Sequence, residues 1–171
     1  MKSFIIGVIL VVLFSSCSDE DSDSGRVTIT INNNPTKSSS AGKAPNARID
    51  SDGWFYLTVE FDGTSNEPEH LVLRIEAVKE GSFTVAGRQS QSGFIPPTMA
   101  FYTYDENDDA EYYYSYLMGE DEAGKINVTK LDRSSKTISG TFDLRLGGTY
   151  HHPDVVQSVS GKFTNIKFKY L

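Results

Sequence analysis

The chain has 171 residues, a formal net charge of −7 and a single cysteine, with an isoelectric point near 4.9. That balance excludes the basic footprint of a nucleic-acid binder, and a lone cysteine excludes an internal disulfide. The length suits one domain and suffices to bury a core without a covalent staple.

Lys2 precedes an apolar run over 4–14, FIIGVILVVLF. The run is too short to cross a bilayer, which takes about 20 apolar residues, and it fits the h-region of a secretory signal cut after Ser16. Ser15 and Ser16 lead directly into Cys17, and an odd cysteine at a small-residue cleavage site is expected to be modified. The segment 13–17, LFSSC, resembles the lipobox of bacterial lipoproteins, with Phe14 where a smaller residue is usual. The resemblance implies that Cys17 is the lipid anchor and that the membrane is the first partner; two or three acyl chains hold stably where one holds marginally. Ser18, Asp19, Glu20 and Asp21, followed by Ser22 and Asp23, form a solvated, self-repelling tether. This run is similar to the surface-export signal of lipoproteins of the Bacteroidota, which implies an outer-membrane protein facing the cell surface, with a periplasm-facing anchor as the alternative. The expected organisation is a signal peptide over 1–16, a lipidated tether over 17–25 and a β-domain over 26–171.

Along the domain, 26–32 (RVTITIN) alternates with Val27, Ile29 and Ile31 on one side, the period of a half-buried strand. The stretch 33–50, rich in Asn, Ser, Pro and Gly, reads as a flexible loop. In 54–61 (WFYLTVEF), Phe55, Leu57, Val59 and Phe61 form a core face, with Trp54, Tyr56, Thr58 and Glu60 opposite. Strands follow at 71–77 and 83–85, then an aromatic hairpin of 99–104 and 111–117 around an acidic loop. The stretches 125–131 and 137–146 alternate again; Gly140 in mid-strand predicts a bulge or a close backbone approach. The chain closes with 155–160 and 162–171, where Lys167 and Lys169 suggest a protected edge. Roughly nine to eleven short strands without a helix predict an all-β fold, a single antiparallel sandwich or barrel-like domain.

The segments 124–132 (GKINVTKLD), 138–142 (ISGTF) and 161–166 (GKFTNI) resemble a block found in small uncharacterised lipoproteins of the Bacteroidota. That resemblance implies the same location and a β fold, and carries no activity with it.

Three groups of residues invite chemistry. Asp105, Asn107 and Asp109 take positions 1, 3 and 5 of a calcium loop, yet Ala110 and Tyr116 stand where glycine and a bidentate Glu are required. No EF-hand follows; a looser calcium cage drawing on Glu120, Asp121 or Glu122 is the weaker option. His151, His152 and Asp154 lie together, but adjacent strand residues point to opposite faces, so a shared metal needs a curled loop and further ligands. Surface loop is the simpler reading, and no metal site is assigned. Tyr112, Tyr114 and Tyr116 occupy one strand face and Tyr113 the other, with Phe101, Tyr102 and Tyr104 across the hairpin. One face is core; the other is then available to a ligand, with cross-strand aromatic packing as the competing explanation.

No nucleophile elbow or phosphate loop is present, so no catalytic residue is assigned and the protein is not expected to be an enzyme. The function expected is a membrane-anchored binding module, with glycan as the suggested ligand and Trp54, Tyr112, Tyr114 and Tyr116 as its contacts. A structural or accessory envelope protein docking on a protein partner is the alternative, and a hydrolase with paired carboxylates the third.

Overall fold

The computed structural model describes residues 25–34, 36–39, 43–61, 69–87, 98–106, 109–118, 122–148 and 154–171. The expected signal peptide, Cys17 and the export run Ser18, Asp19, Glu20 and Asp21 lie outside the described residues.

The fold is all-β. Its strands are β1 Arg26–Ile31, β2 Lys37–Ser38, β3 Asn46–Ile49, β4 Phe55–Phe61, β5 Glu69–Ile75, β6 Gly81–Ala86, β7 Thr98–Glu106, β8 Asp109–Tyr114, β9 Glu122–Asp132, β10 Thr137–Gly148 and β11 Val156–Tyr170. Among the described residues the one helical piece is a single 3-10 turn, Ser115–Leu117. The strands form one mixed sheet in the order β2-β1-β11-β3-β4-β5-β7-β8-β10-β9-β6, with a further pairing between β10 and β11. Those two strands stand far apart in the order, so their pairing requires the sheet to curl back on itself. Among the described residues β2 and β6 stand at the two ends of this order, and the sheet is not a closed barrel.

Curling gives the longer strands an inner face. The period of two then sends alternate side chains into one core: Phe55, Leu57, Val59 and Phe61 of β4, Leu71, Leu73 and Ile75 of β5, Ile126 of β9, Leu144 of β10 and Val159 of β11 are all fully buried. Each such side chain contributes about 1.5–3 kcal/mol by leaving water. The intervening residues of β4 and β5 are only half-buried, which leaves an outer face for other work.

Three expectations change. The stretch 33–50 is not all loop, because β2 and β3 lie within it; Ala47 and Ile49 are buried and dock β3 between β11 and β4. That docking is parallel, Ala47 opposite Phe168 and Ile49 opposite Tyr170, so the sheet is not purely antiparallel. The last two expected strands are one, β11, and it is interior: β10 pairs one edge, while β1 and then β3 pair the other. Its lysines mark the solvent face rather than an edge. Gly140 meets both parts of its expectation. The ladders on either side shift register beside it, and a Cβ there would collide with the Asn127 carbonyl and the Phe163 ring.

Candidate functional site

The outer face of β3, β4, β5 and β8 carries Arg48, Tyr56, Arg74, Tyr112 and Tyr114. β7 and β8 pair through Phe101 opposite Tyr114, Tyr102 opposite Tyr113 and Thr103 opposite Tyr112. Tyr102 and Tyr113 are buried, 2% and 1% exposed; alternation therefore turns Tyr112 and Tyr114 outward, and Tyr112 is 42% exposed. At Tyr114 the strand ends and the 3-10 turn begins. Ser115 anchors it from the inside, its Oγ accepting the Ala100 N–H at 3.2 Å. The turn keeps Tyr116 beside Tyr114 and carries Leu117 out to solvent, 43% exposed. The rings of Tyr112 and Tyr114 stack at 6.4 Å and 14°, and those of Tyr114 and Tyr116 lie 5.0 Å apart at 31°. Burial pushes both the Tyr114 and Tyr116 phenols up from their ordinary value, and the charge that would form on Tyr116 and Tyr112 pushes Tyr114 further. At neutral pH Tyr114 and Tyr116 therefore present rings and uncharged hydroxyl groups.

Trp54 lies on the same side of the sheet, at the entry to β4. The Asp50 carboxylate accepts the N–H groups of Asp52 and Trp54 at 3.1 and 2.9 Å, an Asx turn that Gly53 completes with a φ of 83°. The Arg74 guanidinium stacks on the Trp54 ring at 3.9 Å and stands 5.8 Å from Tyr56. Arg48 covers Tyr56 from the other side at 4.8 Å. Register produces this ladder: Arg48 is opposite Tyr56, and Tyr56 opposite Arg74. Arg48, Tyr56 and Arg74 were not singled out from the sequence as ligand contacts. Their signal was the outward phase of β4 and β5, but β3 had first to be found.

The other candidates are dispersed. Asp105 and Asp109 are strand residues, opposite Ala110 and Glu106, so the hairpin turns more tightly than the acidic loop expected; Asn107 lies outside the described residues, as do Glu120, Asp121, His151 and His152. Asp154 and Glu122 are exposed. Among the described residues no group of three or more His, Cys, Asp and Glu side chains is placed to hold a metal ion. A polar cluster that went unnoticed in the sequence lies inside the curl. Glu69, 5% exposed, accepts from Lys37 Nζ at 2.6 and 2.7 Å and from the Tyr102 hydroxyl at 2.6 Å. It ties β2 to β5 and β7 and satisfies a carboxylate that burial would otherwise penalise.

Neither curated proteins nor solved structures return a match to this chain. A family model does match, over residues 41–167, which takes in β3 and all of the outer face just described. The chain belongs to the family described as a domain of unknown function, DUF6252.

Proposed function

We propose that this protein is a binding module, held at the cell surface by a lipid on Cys17, that takes a glycan on the aromatic outer face of β4 to β8. The observation that carries the reading is the line of Tyr112, Tyr114 and Tyr116, in which the Tyr114 ring pairs with each of the other two on the solvent side, the side of the sheet that Trp54 and Tyr56 also face. Exposed aromatic patches of this kind mark interaction sites, and planar rings with polar tips suit the alternating apolar faces and hydroxyl edges of sugars.

Isothermal titration of the purified protein against a panel of neutral and charged polysaccharides tests this. A saturable response that falls about tenfold or more on replacing Tyr112, Tyr114 and Tyr116 with alanine supports the module, a stacked aromatic being worth on the order of 1–3 kcal/mol. A panel without response sinks it. Location has its own test: Cys17→Ala should free the protein from the membrane, and replacing Asp19, Glu20 and Asp21 with alanine should protect it from protease on intact cells.

Docking on an envelope protein is the second reading, favoured by β6. That strand pairs with β9 and ends the sheet, and its GSFTVA sequence lacks the lysine or proline that commonly blunts an edge. Crosslinking in intact cells through a photoreactive residue at Thr84 would trap such a partner.

A further inference from the structure

We infer that the ligand of this face is an anionic polysaccharide, one whose repeating carboxylate or sulfate groups are met by a row of cations crossing the strands. This rests on the binding reading above and adds charge to it. Lys169 of β11 lies opposite Arg48 of β3, Arg48 opposite Tyr56 of β4, and Tyr56 opposite Arg74 of β5. Lys167 stands two residues before Lys169 on the same solvent side, and both lysines are exposed. On β3, β4, β5 and the end of β11, the outward carboxylate among the described residues is Glu60, and Lys43 Nζ already holds it. In a chain of net charge −7, Lys167, Lys169, Arg48 and Arg74 thus bring four cations together on one stretch of sheet, a complementarity that draws in polyanions.

The guanidinium geometry makes the case more specific. Arg48 and Arg74 lie over the rings of Tyr56 and Trp54, so the flat faces of the guanidinium groups are spent on aromatic contact. The N–H donors lie in the guanidinium plane and remain suited to a planar or tetrahedral oxyanion in bidentate fashion. Arg74 Nε is buried and has no hydrogen-bond partner among the described residues, a donor that an arriving oxygen atom can satisfy if the side chain shifts to meet it. From β11 to β5 the row of cations crosses three strand spacings, on the order of 14 Å, so successive charged groups of one polymer can meet Lys169, Arg48 and Arg74 in turn, where a small anion would meet one of them.

The test uses polygalacturonate, its fully methyl-esterified form and a sulfated arm, chondroitin sulfate, each titrated into the purified protein at low and high salt. Polygalacturonate or chondroitin sulfate should bind, weakening about tenfold or more between roughly 50 and 500 mM NaCl as the charges are screened, and the ester should not bind. Arg48→Gln with Arg74→Gln should lose that binding about tenfold or more, while Lys130→Gln on β9, also exposed, should bind as the wild type does. Because the arginines also pack on rings, Lys169→Gln with Lys167→Gln serves as a second variant, and the unfolding midpoint of each is compared with the wild type. Equal loss in the Lys130→Gln control, or binding indifferent to salt, overturns the inference. Binding of the methyl ester that needs the tyrosines and ignores Arg48 and Arg74 also overturns it, and leaves the binding module standing. Silence from every polysaccharide, neutral or charged, removes both.

Discussion

Replacing Lys37 with methionine removes the cation from a carboxylate that has little access to water. The Glu69 side chain is 6% exposed and that of Lys37 38%, and this asymmetry sets the expected costs. With Lys37→Met, the buried Glu69 side chain loses its cation and retains the Tyr102 hydroxyl as a donor; losing one member of a buried pair costs about 3–5 kcal/mol. With Glu69→Gln the orphan is the Lys37 ammonium, which can turn to solvent, and the new amide oxygen still accepts from Tyr102. That exchange of a charged for a neutral hydrogen bond costs about 1–2 kcal/mol. Lys37→Met should therefore be worse by about 2 kcal/mol, or about 4–8 °C in Tm for a chain of this size. Urea unfolding of both single variants and the double variant measures the difference. The double variant should be more stable than Lys37→Met alone, since it removes the stranded charge, and the sum of the single effects should overshoot. If Glu69→Gln proves the costlier change, or the two effects simply add, then Lys37 does not neutralise Glu69 and β2 is not held to the core by charge.

Other expectations follow from single sites. Gly140→Ala places a Cβ against the Asn127 carbonyl and the Phe163 ring, an overpacking worth about 1–3 kcal/mol that a thermal scan should register as a lower Tm. Asp132 accepts from the Ser134 hydroxyl at 2.6 Å and from the N–H groups of Ser134 and Ser135, both at 2.9 Å, and these bonds, the Ser134 hydroxyl first, hold its carboxyl well below the usual range. A folded pKa below the unfolded one means stabilisation that is complete above about pH 4 and lost as pH falls further. The stability gap between wild type and Asp132→Asn should accordingly close on acidification; a gap constant down to about pH 2 would contradict it. The raised phenols of Tyr114 and Tyr116 work the other way. Stability should decline as pH rises past about 10, and Tyr112→Phe should ease Tyr114 ionisation in an alkaline absorbance titration by removing a neighbouring phenolate.

What the sequence made legible was the alternation, wherever the two faces of a strand differ in kind. β4 shows it well: Phe55, Leu57, Val59 and Phe61 are all buried, as their spacing predicts. β3 was hidden because Ala47 and Ile49 are too few to establish a period, and because its partner Phe168 arrives from the far end of the chain. The lysines of β11 were ambiguous for another reason. Alternating charge reports which face meets water and is silent on whether an edge is paired. The hairpin tyrosines carried the same ambiguity in sharper form, since aromatic residues line both faces of β8 and either could be core. Packing of Tyr102 and Tyr113 inside decides it, and Tyr102 has a reason to point inward that no local pattern contains: the carboxylate of Glu69, brought there by β5. The ladder of Arg48, Tyr56 and Arg74 depends on three strands in register, so it emerges only with the topology.

The outer face owes its order to the way its margins are fastened. At one margin Tyr114 of β8 lies opposite Phe101 on one side and Gly147 of β10 on the other. At the opposite margin Arg48 of β3 stands between Tyr56 and Lys169 of β11. Tyr114 and Arg48 are thus ladder residues at the two joints where the five strands meet β10 and β11. Gly147 has a specific part in this. A side chain there would press on the Leu117 backbone at 3.0 to 3.1 Å, so glycine lets the 3-10 turn settle against β10 and hold Tyr116 beside Tyr114. Rings and guanidinium groups already in contact have given up much of their rotamer freedom before any ligand arrives, and ordering each such side chain at binding would otherwise cost about 0.5–1.5 kcal/mol. Gly147 at the end of β10, which carries no chemistry of its own, therefore helps decide whether the tyrosines of β8 and the turn after it present a continuous surface.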